Sequence, residues 1–143
     1  MAALGEKTTT DEVLEGVDLT GKIAIVTGAS GGLGAETARP LASTGAAVAI
    51  AARDLTRAQA MADQIKESTG NPNVDVGELE LDKPDRVRAF AKTYLENHNE
   101  LNLLINNAGV MACPLNRTTQ GWEMQFATNH LGHFLLTCLL SPA

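Results

Sequence analysis

Glycines at positions 28, 31, 32 and 34 follow an apolar run that ends at Thr27. The run, 22–27, is typical of a buried strand, and the residues after it, 32–44, are typical of a helix. Glycine lets a ligand approach the main chain closely, and a helix N-terminus offers free N–H groups and a positive dipole end. The spacing of Gly28, Gly32 and Gly34 therefore predicts an anion site of the kind that holds a nucleotide pyrophosphate. A tight strand–helix turn without a ligand is the alternative.

The elements that would position this turn alternate between strand and helix. Apolar runs at 46–52 and 101–105 predict further buried strands, and the less apolar 74–81 predicts a strand nearer the sheet edge. Helices are predicted after Asp54, from Pro84, and from about residue 119 to the C-terminus. This order is typical of an α/β fold, a three-layer Rossmann-type doubly wound parallel sheet, here with about four strands.

Four loops would meet at the carboxyl edge of such a sheet, where ligands bind. These loops carry the glycine-rich turn, Arg53, Asp82 and the segment 106–109. The Thr27 hydroxyl can bond to the 106–109 segment and lock the turn in place. Asn106 and Asn107 are polar residues at the end of a buried strand, so they need hydrogen-bond partners there. We therefore expect one site built from several loops.

The composition describes a single globular domain. The chain has 143 residues, of which 44% are hydrophobic and 20% are charged, unlike a disordered sequence. We expect residues 1–20 to form a polar N-terminal arm and residues 21–143 to form the domain. The net charge of −6 and the lack of a Lys/Arg cluster argue against nucleic acid as a partner.

The sequence also argues against a membrane span and a metal site. No apolar run reaches the roughly 18 residues that a span needs, and the N-terminus lacks the layout of a signal peptide. Cys113 and Cys138 are far apart, so we interpret them as reduced thiols of a cytoplasmic protein. His130 and His133 are three residues apart with no third ligand nearby, so no metal is predicted.

Three motifs together resemble one protein family. The tract 27–34 reads TGASGGLG, the tract 106–109 reads NNAG, and Asn129 stands in NHLGHF. The chain resembles the N-terminal part of the short-chain dehydrogenase/reductase family, in its retinol-dehydrogenase-like branch. The resemblance implies an oxidoreductase that transfers a hydride between a nicotinamide cofactor and a small-molecule carbonyl or alcohol substrate.

The resemblance also implies the roles of site residues. Asn129 would belong to the catalytic machinery, holding a water that links the catalytic lysine to solvent. Asp82 would bond the adenine amino group, although a cap ahead of Pro84 is the alternative. A complete relative would form a homo-oligomer through its final helix. The implied cofactor-binding residues are Thr27, Gly28, Ser30, Gly31, Gly32, Leu33, Gly34, Arg53, Asp82, Asn106, Asn107, Ala108 and Gly109.

The end of the second strand favours NADP over NAD as the cofactor. Members of the family that prefer NAD carry an acid at this position, where Ala52 stands. Arg53 can instead meet a 2′-phosphate. Asp54 is the counter-argument because it lies 20 residues beyond Gly34. We interpret Asp54 as the cap of the next helix.

Two apolar stripes are predicted on the final helix. One stripe should face the sheet, with Asn129 buried among its apolar members, and it comprises Trp122, Phe126, Asn129 and His133. The other should be exposed and available to another chain, and it comprises Met124, Leu131, Leu135 and Cys138.

The residues that perform the chemistry of the family are not all found in the sequence. The family uses a serine, a tyrosine and a lysine four positions after the tyrosine. Tyr94 is the single tyrosine, and His98 stands four positions later. Tyr94 lies on an apolar helix stripe, and Ser141 precedes the expected serine-bearing strand. We therefore expect a truncated sheet and no activity of this chain by itself. The alternative function is a dinucleotide-binding module without catalysis.

Overall fold

Four parallel strands form the sheet that positions the glycine-rich turn. In a computed structural model, which describes residues 4–141, they lie in the order β3-β2-β1-β4. The strands are β1 (Ile23–Thr27), β2 (Ala47–Ala52), β3 (Val74–Glu78) and β4 (Leu103–Ile105). β1 pairs with β2 on one side and with β4 on the other. The strand order therefore switches beside β1, and open α/β sheets bind their ligands at such a point.

Helices connect these strands. The first four are α1 (Thr10–Val13), α2 (Gly32–Ser43), α3 (Leu55–Thr69) and α4 (Pro84–Asn97). After β4 and a loop, a continuous helical stretch comprises α5 (Met124–Phe126), a π-helical segment (Ala127–Gly132) and α6 (His133–Leu140). Among the helices of residues 4–141, none is both long enough and apolar enough to span a bilayer.

β1 is buried on both faces, which explains its apolar run. Ala24 and Val26 belong to a core with α2 and α3, whereas Ile25 belongs to a second core with α4 and α6. Ile25 is fully buried, and a side chain of this size contributes about 1.5–3 kcal/mol when it leaves water. Helices on both faces of a parallel sheet confirm the predicted three-layer α/β fold.

β3 is at the edge of the described sheet, as its lower apolar content predicts. It pairs with β2, and Asp75 and Glu78 on it are exposed. The strand ends at Glu78, three residues before the predicted end. Asp82 therefore lies in a turn beyond the strand. It does not cap α4, because the N-cap residue is Lys83 and makes no side-chain cap bond.

Asp54 caps α3, as we interpreted it. Its carboxylate accepts a hydrogen bond from the backbone N–H of Arg57 at 3.0 Å. Replacing Asp54 with alanine should lower the free energy of unfolding by about 1 kcal/mol, because a helix N–H loses its acceptor. Asp54→Asn retains a side-chain oxygen and is the matched control. Denaturant unfolding measures both variants, and equal losses in the two would contradict the capping role.

The final helical stretch begins later than predicted. Its first residue is Met124 rather than a residue near 119, and Glu123 precedes it as the N-cap. The Glu123 carboxylate accepts from the N–H groups of Gln125 and Phe126 at 2.9 and 2.8 Å. These two bonds lower the pKa of Glu123.

The predicted sheet-facing stripe of this helix is wrong at three of its four positions. Trp122 is 41% exposed, Phe126 is 53% exposed, and Asn129 is exposed as well. Trp122 lies before Met124, the first helical residue. From Phe126 to His133 the prediction extended the spacing of an ordinary helix across the π-helical segment, whose wider i→i+5 turns change the register of the faces. His133 is buried as expected, and Leu136 and Leu140 complete the face that packs on the sheet.

The second predicted stripe is also only partly exposed. Leu135 packs against the core of α4 and α6, whereas Cys138 is exposed. The exposed face instead carries Phe126 and Phe134, with the His130 ring stacked between them at centroid distances of 5.2 and 6.5 Å.

The N-terminal segment packs on the domain through α1 and the residues after it. Leu14 and Leu19 contact the core of α2 and α3. Arg39 of α2 forms an ion pair with Asp11 at 2.9 Å, and Thr10 donates to Glu36 at 2.5 Å. The predicted arm therefore contains a docked helical turn.

Candidate nucleotide-binding site

A cavity of about 380 Å³ opens at the carboxyl edge of the sheet, beside the start of α2. Most of the predicted cofactor-binding residues line it, and these are Gly28, Ser30, Gly31, Leu33, Gly34, Arg53, Asp82, Asn107, Ala108 and Gly109. Lining residues that we did not predict as part of the site include Arg57, Leu79, Glu80, Leu81, Val110 and Thr128. The predicted loops therefore do meet at one place.

Two glycines of the turn are needed where it approaches the 106–109 segment. Gly28 has a φ of +69°, and a Cβ there would lie 2.8 Å from the Ala108 Cα. A Cβ on Gly34 would lie 2.5 Å from the Asn107 Nδ2 and 2.6 Å from the Gly28 carbonyl oxygen. The close approach of the two loops therefore explains why glycine stands at both positions, whether or not a ligand binds.

Replacing Gly34 with alanine should lower the free energy of unfolding by about 3 kcal/mol, because the added methyl group forces the turn and the 106–109 segment apart. Gly31→Ala is the matched control in the same turn. A Cβ at Gly31 would meet only the Arg57 side chain, at an ordinary 3.6 Å. Thermal and denaturant unfolding compare the two. Similar stabilities would show that the contact at Gly34 is not tight.

Thr27 joins the turn to the 106–109 segment, as the sequence predicts. Its hydroxyl accepts the N–H groups of Asn107 and Ala108, both at 3.0 Å. The Asn107 side-chain amide donates to the Thr27 carbonyl at 2.9 Å. Thr27 is completely buried, so it shapes the wall of the cavity from behind and does not line it.

His133 is a buried neighbour of Thr27 that we did not predict as a site residue. Its Nε2 lies 2.9 Å from the Thr27 Oγ1, and its Nδ1 lies 3.2 Å from the Asn129 carbonyl oxygen. Burial lowers the pKa of His133, and the bond to the Asn129 carbonyl partly opposes this. The sequence contains no pattern that would pair residues 106 positions apart.

Asn129 holds the loop that follows the 106–109 segment. Its Oδ1 accepts the Val110 N–H and its Nδ2 donates to the Val110 carbonyl, both at 2.8 Å. A Cβ on Gly109 would lie 3.3 Å from the Asn129 Oδ1. Asn129 is outside the cavity lining, but its neighbour Thr128 is part of it.

Asn106, a predicted binding residue, is not among the residues that line the cavity. Its side-chain amide donates to the Thr137 hydroxyl of α6 at 3.1 Å. Gly32 is also outside the lining of the cavity. The Asn106 side chain therefore connects the end of β4 to α6, whereas the Asn107 side chain connects it to β1.

Two arginines stand at the rim where β2 ends. Arg53 and Arg57 are exposed and both line the cavity. The residue before them, Ala52, offers no carboxylate, and Asp54 is engaged as the cap of α3. Arg57 lies in the first turn of the helix that Asp54 caps, directly after β2, and this position is a signal that could have identified it.

Besides Asp54, the acidic residues that line the cavity are Glu80 and Asp82, on the opposite loop. Glu80 forms ion pairs with Lys83 and with Arg86, the latter at 3.6 Å. Asp82 lies two residues further along and also lines the cavity. Within residues 4–141, no group of three His, Cys, Asp or Glu side chains is placed to hold a metal ion.

Comparison with known proteins agrees with this geometry. The family model for short chain dehydrogenases matches residues 22–143. Retinol dehydrogenase 11 of Mus musculus is 52% identical over 124 residues, which are 87% of this chain and 39% of that protein. The chain thus spans about two fifths of the length of this curated relative.

Solved structures give the same result for the fold. A protein of Mycobacterium paratuberculosis superposes with a TM-score of 0.77 at 43% identity, over 87% of this chain and 43% of that one. A metagenomic short-chain oxidoreductase, solved in complex with NADP, superposes with a TM-score of 0.76 at 35% identity, over 87% of this chain and 57% of that one.

Proposed function

The chain belongs to the short-chain dehydrogenase family, and we propose that it is the cofactor-binding part of an NADP-dependent oxidoreductase. The observation that carries the choice of NADP is the pair of arginines, Arg53 and Arg57, at the rim of the cavity. A family member of this kind would transfer a hydride between the nicotinamide and the carbon of a carbonyl or alcohol substrate.

The pyrophosphate of the cofactor would lie at the start of α2. The first N–H groups of a helix have no partner within it, and the helix dipole favours an anion there. Ser30, Gly31 and Leu33 line the cavity at this point. Asn107 and Ala108 form the neighbouring wall, held against β1 by Thr27.

The adenosine ribose would lie at the end of β2, where the residue types favour a 2′-phosphate. An acidic side chain at this place would accept hydrogen bonds from the ribose hydroxyls of NAD. Ala52 cannot do so, and the Asp54 Oδ1 is held at the N-terminus of α3 by the backbone N–H of Arg57. Two guanidinium groups can bind a phosphate dianion through paired, charge-assisted hydrogen bonds.

Catalysis would need groups beyond those that this stretch of 143 residues supplies. Tyr94 is its single tyrosine. It is buried in α4, and its hydroxyl donates to the Glu100 carbonyl at 2.9 Å. Burial first, and then the charge of Glu100, raises the pKa of Tyr94, which is unfavourable for an acid–base role. We therefore propose that this chain by itself binds the cofactor without turning it over.

Calorimetric titration of the chain with NADPH and with NADH tests the proposal. We expect NADPH to bind at least about tenfold more tightly, because hydrogen bonds to a charged group contribute about 1.5–3 kcal/mol. Equal affinities, or a preference for NADH, would contradict the assignment of NADP. Turnover of either cofactor with a panel of carbonyl substrates would contradict the proposed lack of activity.

The remaining expectations about the protein stay predictions. They are the homo-oligomer of a complete relative, the cytoplasmic location, and the role of Asn129 through a bound water. For Asn129, the contacts with Val110 show only that its side chain holds the loop after the 106–109 segment.

A further inference from the structure

His133 stands where three segments around the cavity meet. Its Nε2 reaches Thr27, the residue before the glycine-rich turn, and its Nδ1 reaches the main chain of Asn129 in the π-helical segment. Thr27 in turn holds the main chain of Asn107 and Ala108. A single buried imidazole, 6% exposed, thus connects these parts of the fold.

The hydrogen bonds of the Thr27 hydroxyl determine which way the proton between Thr27 and His133 points. A hydroxyl has one proton and two lone pairs. The N–H groups of Asn107 and Ala108 occupy both lone pairs, so Thr27 must donate its proton. The Ile105 carbonyl oxygen is 3.4 Å away, which is long for a hydroxyl donor, whereas the His133 Nε2 is at 2.9 Å.

The contact of the other ring nitrogen, Nδ1, also indicates that Nε2 accepts the Thr27 proton. If Nε2 accepts from Thr27, a neutral imidazole carries its hydrogen on Nδ1. Nδ1 faces the Asn129 carbonyl oxygen at 3.2 Å, and that oxygen can only accept. The opposite tautomer would place a lone pair against this oxygen and a third donor against the Thr27 hydroxyl. Both contacts of the ring therefore require the hydrogen on Nδ1.

We propose that His133, as a neutral imidazole protonated on Nδ1, is a positioning residue that ties the Thr27 hydroxyl to the Asn129 main chain. It thereby keeps the turn, the 106–109 segment and the π-helical segment in the arrangement that the cavity needs. The effect on cofactor binding rests on the proposed function, whereas the state of the ring does not.

The surroundings of His133 favour a neutral ring. Thr27 of β1 is uncharged, and α4 turns Val87, Ala91 and Tyr94 toward α6, while its charged residues are exposed. These exposed charged residues of α4 are Asp85, Arg86, Arg88, Lys92 and Glu96. The loop that packs against Gly132 at Leu81 carries Asp82 one residue later, and His130 lies on the exposed face of the same helix. Tyr94 is the titratable side chain on the packed face of α4.

Acid should therefore loosen this connection. A second proton would go to Nε2 and point at a hydroxyl whose lone pairs are already used. Because burial lowers the pKa of His133 below its ordinary value of 6.5, the unfolded chain takes up this proton first as the pH falls. The stabilisation is complete above pH 6.5 and declines as the pH falls from there through the folded-state pKa.

Nuclear magnetic resonance of the chain, with nitrogen-15 in its histidines, tests the assignment without a cofactor. We expect the His133 Nδ1 to carry the hydrogen at pH 7.5 and the ring to take up its second proton below pH 6.5. The backbone amide signals of Asn107 and Ala108 should move with the same midpoint. A hydrogen on Nε2, a charged ring at pH 7.5, or amide signals that do not follow the ring would overturn the proposal.

Three variants separate positioning from simple packing. His133→Gln places an acceptor near the former Nε2 and should retain most of the affinity for NADP⁺ at pH 7.5. His133→Ala should lose about tenfold, as expected for one lost buried hydrogen bond. In His133→Gln, the backbone amide signals of Asn107 and Ala108 should no longer move as the pH is lowered. His130→Gln, three residues away on the exposed face, is the matched control and should keep both properties.

The outcomes distinguish this proposal from the proposed function. Equal loss of NADP⁺ affinity in His133→Gln and His133→Ala, with the acid transition unchanged, would overturn the positioning role. A wild-type chain that shows the expected ring state but binds no NADP⁺ would contradict the proposed function while supporting the hydrogen-bond assignment.

Discussion

Replacing Thr27 with valine is expected to lower the free energy of unfolding by about 3 kcal/mol and to abolish measurable NADPH binding. Valine fills the same space, but it offers no partner to the Ala108 N–H or to the His133 ring. The Asn107 N–H would retain only its bond to the Ile105 carbonyl. Each buried polar group left without a partner costs about 1–3 kcal/mol. Against a total stability of about 5–15 kcal/mol, this is a large loss. Urea unfolding followed by circular dichroism measures it.

Two further variants make this result specific. Thr27→Ser restores the hydroxyl and should recover most of the stability and the binding. Thr37→Val removes a hydroxyl of α2 whose bond goes to the Leu33 carbonyl alone, and it should change the unfolding free energy by less than about 1 kcal/mol. A Thr27→Val protein as stable as Thr37→Val would contradict the role assigned to this hydroxyl.

Removal of the two rim arginines is expected to reverse the cofactor preference. Arg53→Ala and Arg57→Ala should each weaken NADPH binding about tenfold, and the double variant about a hundredfold, since each loses a charge-assisted contact with the 2′-phosphate. NADH lacks this phosphate, so its affinity should change by less than about twofold. Calorimetry of the wild type and the three variants with each cofactor measures these affinities.

Arg88→Ala is the matched control for the loss of a positive charge. Arg88 is an exposed residue of α4 and is outside the lining of the cavity. Its removal should leave the ratio of the two affinities unchanged. The assignment of the 2′-phosphate to this rim fails if Arg53→Ala weakens NADH and NADPH equally, or if Arg88→Ala has the same effect as Arg53→Ala.

The parts of the fold that the sequence predicts are those with strong local signals. β1 is apolar throughout because both of its faces are buried, and the glycines after it mark the turn. Asp54 and Pro84 stand at helix starts, where their chemistry is favourable. From these signals, the predicted bounds of the strands and of the loops around the cavity agree with the structure to within a few residues.

The final helix shows where local periodicity is insufficient. A π-helical segment has no sequence signal comparable with an apolar stripe, and it changes which residues before and within it share a face with those that follow, such as His133. The assignment of Phe126 and Asn129 to the buried face is wrong for that reason. The end of β3 is misplaced because Leu79 and Leu81 are buried, although they lie beyond the last residue of the strand.

Site residues that act through long-range contacts could not be predicted from spacing. His133 and Thr27 are 106 positions apart, and the role of Asn106 depends on α6, which supplies Thr137. Motifs identify the loops that meet, because parallel strands end at one edge. Which side chain in a loop points at the cavity depends on packing that only the folded chain determines.

A crystal structure of the chain grown with NADP⁺ would show directly whether the cavity between the 28–34 turn and the 106–109 segment binds this cofactor. We expect the pyrophosphate at the start of α2 and the 2′-phosphate between the guanidinium groups of Arg53 and Arg57. An empty cavity at saturating NADP⁺, or a 2′-phosphate that contacts neither arginine, would contradict this expectation.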